Sequence, residues 1–286
     1  MTFPLNQRVL VSDATYLEPK GINAFEDPDD QPNRAVALQE HTACVTAMAQ
    51  AGITIERVAS PPNCQDGVFT ANWGLTWNGR ALLSNLPEAR KEEEPAASAA
   101  LQHLGFDTKP ANVLFSGQGD AMIIGGDRVL IGGGYRTDMA VADEVRSWLG
   151  LEPIQVKALP KQTWYRRPVR NKVTGLWDSY FYDIDLAIAV IRPDLLAVCL
   201  DALTLAGQTA IHQLKDVEII EVDLLEARDA LACNLVSTGE TIVMTDGAPK
   251  LAGELRRRGL KLSTLSNHEL RKSGGGFRCS SLSLYS

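Results

Sequence analysis

The chain is poor in histidine and has no paired-cysteine motif. Four histidines (His41, His103, His212, His268) are scattered over 286 residues, and the five cysteines at 44, 64, 199, 233 and 279 contain no CxxC. An odd, widely spaced cysteine set argues against a disulfide framework, and without clustered histidines it argues against a zinc site, so no metal is expected and a reducing cytosol fits best. No stretch approaches 18 uninterrupted apolar residues: LAIAVI and LLAVCLDALTLA are broken by Pro193, Asp194 and Asp201, and no membrane span is expected. The opening MTFPLNQRVLVSD lacks the basic start and apolar core of a signal peptide, which points to a cytoplasmic protein. Positive charge is not in excess either. A net charge of -7 argues against nucleic acid or anionic membrane as the main partner. The run Gly132-Gly133-Gly134 lacks the spacing of a dinucleotide or phosphate loop, so no cofactor is expected.

What is present is a repeating order of elements. A strand RVLVS (8–12) and an acidic, Pro-rich loop lead into a helix from Pro32, closed by Gly52 and followed by a strand at 53–59. A second unit opens at 66–86, two apolar stretches around Asn78-Gly79, a hairpin signal, with a helix over 90–104 and a strand at 105–109. A third runs 119–134 around Gly126-Asp127, then a helix at 138–149 and a strand at 154–159. A fourth pairs FYDIDLAIAVI with LLAVCL around Pro193-Asp194 and ends in VEIIEV (217–222). A fifth pairs ACNLVS with TIVMTD across Thr238-Gly239-Glu240, followed by a helix at 248–258 and a strand at 261–265. The units start near residues 66, 120, 183 and 233, and again near 279, an interval range that indicates internal repetition. The first strand is free to complete the truncated last unit and leave no bare sheet edge. An ordinary mixed α/β domain is the competing reading.

Several residues carry chemistry on their own. Cys279 follows three glycines and Arg278 in KSGGGFRCSS. The glycines let backbone pass close to a ligand and the arginine favours a thiolate, whereas a free cysteine is more commonly a buried apolar residue. Asp183 and Asp185 stand at i and i+2 in a strand-like run, so they share a face; near a core they need a cation, a metal or a shared proton, and at a strand rim they simply meet water. Asp66, before an apolar strand, reads as a turn residue or as a partner for a planar cation. Between Lys157 and Lys172 there are six basic residues and no acid, interleaved with Trp164 and Tyr165. This segment is expected to lie over the site and hold a substrate carboxylate or phosphate through Arg166 and Arg167, or else to be a solvated basic loop. Nucleic-acid binding is a weak third reading of it. Asn23 and Asn33 in the N-terminal loop are candidates for ligand contact. Cys64 is expected to be structural and His268 to be on the surface.

The segments CQDGVFTANWG (64–74), SGQGDAM (116–122), YFYDIDLAIAV (180–190), CNLVSTG (233–239) and KSGGGFRCSS (272–281) together resemble the amidinotransferase and dimethylarginine dimethylaminohydrolase family. The ordered set spans nearly the whole chain, and its last segment is the sharpest. The resemblance implies one domain over 1–286, a five-fold pseudo-symmetric α/β propeller (the pentein fold) with its site in the central channel. It also implies a cysteine that attacks the central carbon of a guanidinium or amidine, forming a covalent S-linked intermediate. The nucleophile falls on Cys279, the substrate-holding carboxylates on Asp66 and Asp185, an architectural aspartate on Asp120, and a supporting polar residue on Asn234. Two positions depart from the family pattern: Asp183 stands where a histidine is expected, and Ser116 where a glutamate is. Asp183 is therefore expected to serve as acid and base, with Ser116 lining the substrate site. The expected activity is a cysteine-dependent hydrolase or amidinotransferase for a small guanidino or amidine compound; the alternative is a catalytically silent small-molecule-binding or regulatory protein. Self-association into a homo-oligomer is compatible with either.

Overall fold

The computed structural model describes residues 5–286, so the first four residues of the segment read for a targeting signal lie outside it. Each repeat folds as a three-stranded sheet made in one way: an antiparallel pair, a crossover, and a third strand returning parallel to the second. The first sheet contains β1 (Arg8–Val11), α1 (Arg34–Gln50) and β2 (Thr54–Arg57). The second contains β3 (Gly74–Trp77), β4 (Arg80–Leu83), α2 (Glu94–His103) and β5 (Asp107–Pro110). The third contains β6 (Ala121–Gly125), β7 (Arg128–Ile131), the short α3 (Val141–Glu144), which continues as one π-helical turn, and β8 (Glu152–Gln155). The fourth contains β9 (Ile188–Arg192), β10 (Leu195–Val198), α4 (Leu205–His212) and β11 (Glu218–Glu221). After α5 (Leu224–Asp229), the fifth contains β12 (Val236–Ser237), β13 (Thr241–Thr245), α6 (Pro249–Arg257) and β14 (Lys261–Leu265). The last strand, β15 (Leu282–Ser283), returns to the first sheet and pairs antiparallel with β1, Val9 opposite Ser283 and Leu10 opposite Leu282.

Burial falls from strand to strand and so reveals the axis. The leading strands β6 and β9 and the middle strands are almost wholly buried, whereas the trailing strands β2, β5, β8, β11 and β14 alternate between exposed and half-buried. Neighbouring leading strands touch one another, β6 against β9, β9 against β12, and β15 against β3. Five sheets stand around a common centre as a five-bladed propeller, each turning its first strand inward. The expected ring closure is present, and it joins residues at opposite ends of the sequence. Local signals explain the parts: Asn78 and Gly79 both have positive φ, as the tightest hairpin turn requires, and Asn33 caps α1 by accepting from the Ala35 and Val36 amides. Two helices escaped the sequence reading, α4 and α5, because the apolar run preceding α4 carries no period that separates strand from helix. No helix among the described residues is long and apolar enough to cross a membrane.

Leu282 is fully buried in the closing strand, so Leu282→Ala is expected to lower unfolding stability by roughly 2–5 kcal/mol. Urea denaturation followed by circular dichroism reads this directly.

Candidate active site

The segment before each leading strand turns inward, three of them through a 3₁₀ turn: Thr70–Trp73, Gly117–Gly119 and Ile184–Leu186. With the loop before β12 and the chain before β15, they bring residues from all five units to one end of the axis. Cys279 is there, 2% exposed. Its sulfur accepts from Asn234 Nδ2 at 3.1 Å and lies 3.4 Å from Asp185 Oδ2, and its amide donates to Asn234 Oδ1. Asn234 thus fixes both ends of the cysteine. Asp185 is fully buried, and burial, reinforced by neighbouring Asp183, pushes its carboxyl up to about 8. Burial and the same two aspartates hold the Cys279 thiol well above its ordinary value. In the resting site both groups keep their protons at neutral pH.

Asp183 is extended and precedes its turn rather than lying in a strand, yet both carboxylates face inward and neither meets water. Its Oδ2 accepts from Asn72 Nδ2 at 2.8 Å, and its Oδ1 has no partner. Asn72 also donates to Ser116 Oγ at 3.1 Å and to the Ser116 carbonyl, and accepts from Arg90 Nη1 at 2.7 Å. One amide therefore ties three units together. Gly119 has no space for a side chain, since a Cβ would lie 2.4 Å from Asn72 Nδ2 and 2.6 Å from Asp183 Oδ2. Asp120 accepts from the Ile184 amide at 2.9 Å, which pins the turn carrying Asp183 and Asp185. Asp66 is buried with Arg90 Nε 3.7 Å from its Oδ2, while Oδ1 is unpartnered; burial raises its carboxyl to about 6, against the pull of Arg90. Arg90 is clamped by both oxygens of Glu93 at 2.7 Å.

The structure brings Cys279, Asp183, Asp185, Asp66, Ser116, Asp120 and Asn234 together and leaves Arg166 and Arg167 out. Those two arginines sit exposed at the tip of a hairpin spanning 161–178 that bonds to itself, with Val169 donating to the Lys161 carbonyl and Asp178 to the Val169 carbonyl. A self-paired hairpin holds its tip away from the base, so the expected anion-binding role does not fall on them. The base does cover the site: Asn171 bonds the Gly21 carbonyl at 3.0 Å. The cation found instead is Arg136, 5% exposed, with its guanidinium 4.0 Å over the Tyr182 ring and a single 3.5 Å hydrogen bond to the Ile22 carbonyl. It forms no ion pair among the described residues. Arg136, Asn72, Arg90 and Tyr182 were missed in the sequence, although Asn72 lies within TANWG and Arg136 two residues beyond the glycine run. Asn23, a candidate, does reach the wall, donating to the Ser273 carbonyl and to Glu26. Asn33 instead caps α1. His268 is exposed, and no histidine is among the hydrogen-bond partners of Cys279, Asp183 or Asp185.

A family model described as N,N dimethylarginine dimethylhydrolase, eukaryotic, matches residues 15–285. The chain belongs to that family. It is 27% identical over 238 residues to the N(G),N(G)-dimethylarginine dimethylaminohydrolase of Mycobacterium tuberculosis, covering 82% of this chain and 71% of that one. To the Pseudomonas aeruginosa enzyme of the same name it is 23% identical, with 88% and 90% covered. In structure it is similar to the N-terminal domain of ArgZ, a cyanobacterial arginine dihydrolase bound to product, with a TM-score of 0.85, 22% identity and 96% of each chain covered. A dimethylarginine dimethylaminohydrolase adduct with 4-chloro-2-hydroxymethylpyridine gives a TM-score of 0.73 at 20% identity over 97% and 99% of the two chains. Membership makes this chain an enzyme of the cysteine-dependent, C–N bond-cleaving kind within the guanidino-modifying superfamily.

The Asp185 proton gives a test of the geometry. Free in an unfolded chain, the carboxyl titrates near about 4, whereas folded it holds its proton to about 8. Folding therefore takes up a proton within that window, and this contribution to stability is lost as pH rises through it. The melting temperature of the wild type should fall relative to that of Asp185→Asn between about pH 5 and about pH 8. Parallel melting curves at three pH values would show no such divergence if the carboxyl were ordinary.

Proposed function

We propose that the protein is a hydrolase or amidinotransferase acting on a small guanidino or amidine compound with an anionic group at its far end, through Cys279. The observation that carries this reading is a pair of buried carboxylate oxygens, Asp66 Oδ1 and Asp183 Oδ1, with no partner in the same closed site as the cysteine sulfur. Leaving each one unmade costs about 1–3 kcal/mol. A planar cation with divergent N–H donors satisfies both at once, and its electron-poor carbon then faces Sγ. Arg136, a buried guanidinium with one weak bond, requires an anion, which fits the tail of the same molecule.

The cation activates the nucleophile. Burial and the neighbouring aspartates keep the proton on Cys279, and a bound positive charge lowers the cost of the thiolate. Sγ bonds to the central carbon as the thiol proton passes to Asp183. From there it goes to the departing nitrogen as the C–N bond breaks. Water, or an acceptor amine in a transferase, then attacks the S-linked carbon, gives up its proton through Asp183, and frees the thiol. Asp185 Oδ2 accepts from the Cys279 thiol at 3.4 Å and holds the sulfur in place. Asp183 thus takes the place of the family's histidine and Ser116 that of its glutamate, with Asn72 joining the two. Adding one carboxylate and removing another preserves the negative charge facing the substrate. We place the protein in the cytoplasm, where five unpaired buried cysteines are stable, and assign the 1–286 chain to one catalytic propeller.

Cys279→Ala should abolish turnover across a panel of guanidino and amidine carboxylates, and intact-mass measurement on quenched wild type should find an adduct on Cys279. Asp183→Asn should lower kcat about 100-fold to 10,000-fold with its fold retained. An active Cys279→Ala, or wild type that binds the panel without turnover or adduct, would overturn the reading in favour of a silent binding protein. Arg136→Gln should raise KM about 10-fold to 100-fold for substrates bearing a carboxylate, and leave kcat nearly unchanged. Equal KM values would remove the anion-holding role.

A further inference from the structure

The hairpin at 161–178 is ordered by its own bonds but buries little. Thr163 donates to the Arg167 carbonyl at 2.9 Å through its amide, Arg166 to the Thr163 carbonyl at 2.8 Å, and Lys161 to the Asp178 carbonyl at 2.8 Å. Arg170 stacks on Trp177 with its guanidinium 4.0 Å from the ring centre, and Trp164 lies against Tyr165 with centroids 4.2 Å apart. Yet Trp164 is 83% exposed and Tyr165 70%. The root of the arm adds Leu159 and Leu205, 41% and 81% exposed, joined where the Leu159 amide donates to the Ala202 carbonyl and the Thr204 amide to the Lys157 carbonyl. Of the ten large apolar or aromatic side chains left exposed among the described residues, six (Leu159, Trp164, Tyr165, Val173, Trp177 and Leu205) belong to this arm or its root.

Scattered exposed apolar residues are ordinary, and a concentration of this kind marks an interface. Its tip is Trp164-Tyr165-Arg166-Arg167, the residue types that dominate binding energy where proteins meet. We propose that this arm is a self-association arm, through which a second copy of the chain is gripped at its acidic surface. The charge argument selects the occupant. The segment from Lys157 to Lys172 carries six basic residues and no acid in a chain whose net charge is -7, so the rest of each copy presents the complementary charge. The area is also sufficient. Trp and Tyr bury about 150–250 Å² each, so two exchanged arms supply about half of a standard interface of about 1,600 Å², and the matching surface they cover on the two copies supplies the other half. The tip of the arm is exposed whereas Cys279 is buried, and the proposal does not depend on what the enzyme acts upon.

Sedimentation velocity of the full chain at low salt, over roughly 1–100 µM as the span in which modest interfaces populate, should give twice the chain mass. The dimer should weaken as salt rises. Arg166→Glu/Arg167→Glu and, separately, Trp164→Ala should each weaken the dimer at least about 10-fold, with unchanged circular dichroism. A wild type that stays monomeric at low salt, or a dimer indifferent to both variants, overturns the proposal. A monomer that instead binds RNA or anionic vesicles through the same residues overturns it in favour of a different partner.

Discussion

Like charge held in a dry place is the constraint on which the rest of this molecule turns. Asp66, Asp120, Asp183 and Asp185 are all within 1% of full burial around one end of the propeller axis. Carboxylates so placed repel one another and lose water, and burial leads the causes that lift Asp66, Asp120 and Asp185 above the ordinary range. The structure answers with hydrogen bonds, from the Asn72 amide to Asp183, the Ile184 N–H to Asp120 and the Cys279 thiol to Asp185, and with the Arg90 cation beside Asp66. What it leaves open are the Oδ1 atoms of Asp66 and Asp183 and the Oδ2 atom of Asp120.

Such a cluster needs a rigid surround, and the closed ring of sheets provides it. Every blade delivers its inward segment from the start of its innermost strand, so the site's positions are set by the most buried elements rather than by surface loops. The Glu93 clamp on Arg90 shows how the load is shared. A buried guanidinium with both carboxylate oxygens at 2.7 Å takes its short bonds from Glu93, and Asp66 joins it only through Oδ2 at 3.7 Å, so the Asp66 Oδ1 atom stays open. At Gly274, where φ is +82°, a Cβ would strike Asn23 Oδ1 and Tyr182 Oη. The last segment can pass beneath the N-terminal loop only without a side chain.

Much of this was legible in the sequence, for identifiable reasons. The repeat showed because hairpin turns such as Asn78-Gly79 have strict backbone requirements, and because each unit places its polar residues just before an apolar run. Cys279 and Asp66 stood out through the resemblance of their segments to the amidinotransferase and dimethylarginine dimethylaminohydrolase family, and Asp183 and Asp185 also because acids at i and i+2 share one face. Asn72, Arg90 and Arg136 did not stand out. Their meaning comes from partners 18 to 114 residues distant, and an arginine in a loop reads as solvated until the fold buries it. Arg166 and Arg167 erred in the opposite direction. A dense basic run suggests an anion site, but local density cannot show whether a hairpin points its tip inward or outward.

The arrangement also explains why a cysteine is tolerable where its thiolate is disfavoured. A permanently ionised sulfur beside a cleft reacts with any oxidant or electrophile that reaches it. Here the neighbouring carboxylates suppress ionisation, and the Asn23–Glu26 loop and the base of the arm seal the centre. Glu26 anchors that loop by accepting from the Gly21 and Ile22 amides, and burial, helped by Asp66, raises its own carboxyl to about 7. The loop and the site thus share one electrostatic field. Under the proposed function, a cation entering the cluster would relieve the repulsion felt by Asp66, Asp183 and Asp185 together, and the charge that makes the ligand bind would also make the sulfur a nucleophile. Selectivity for a positively charged planar group then needs no separate device: a neutral isostere that fills the space leaves the thiol protonated.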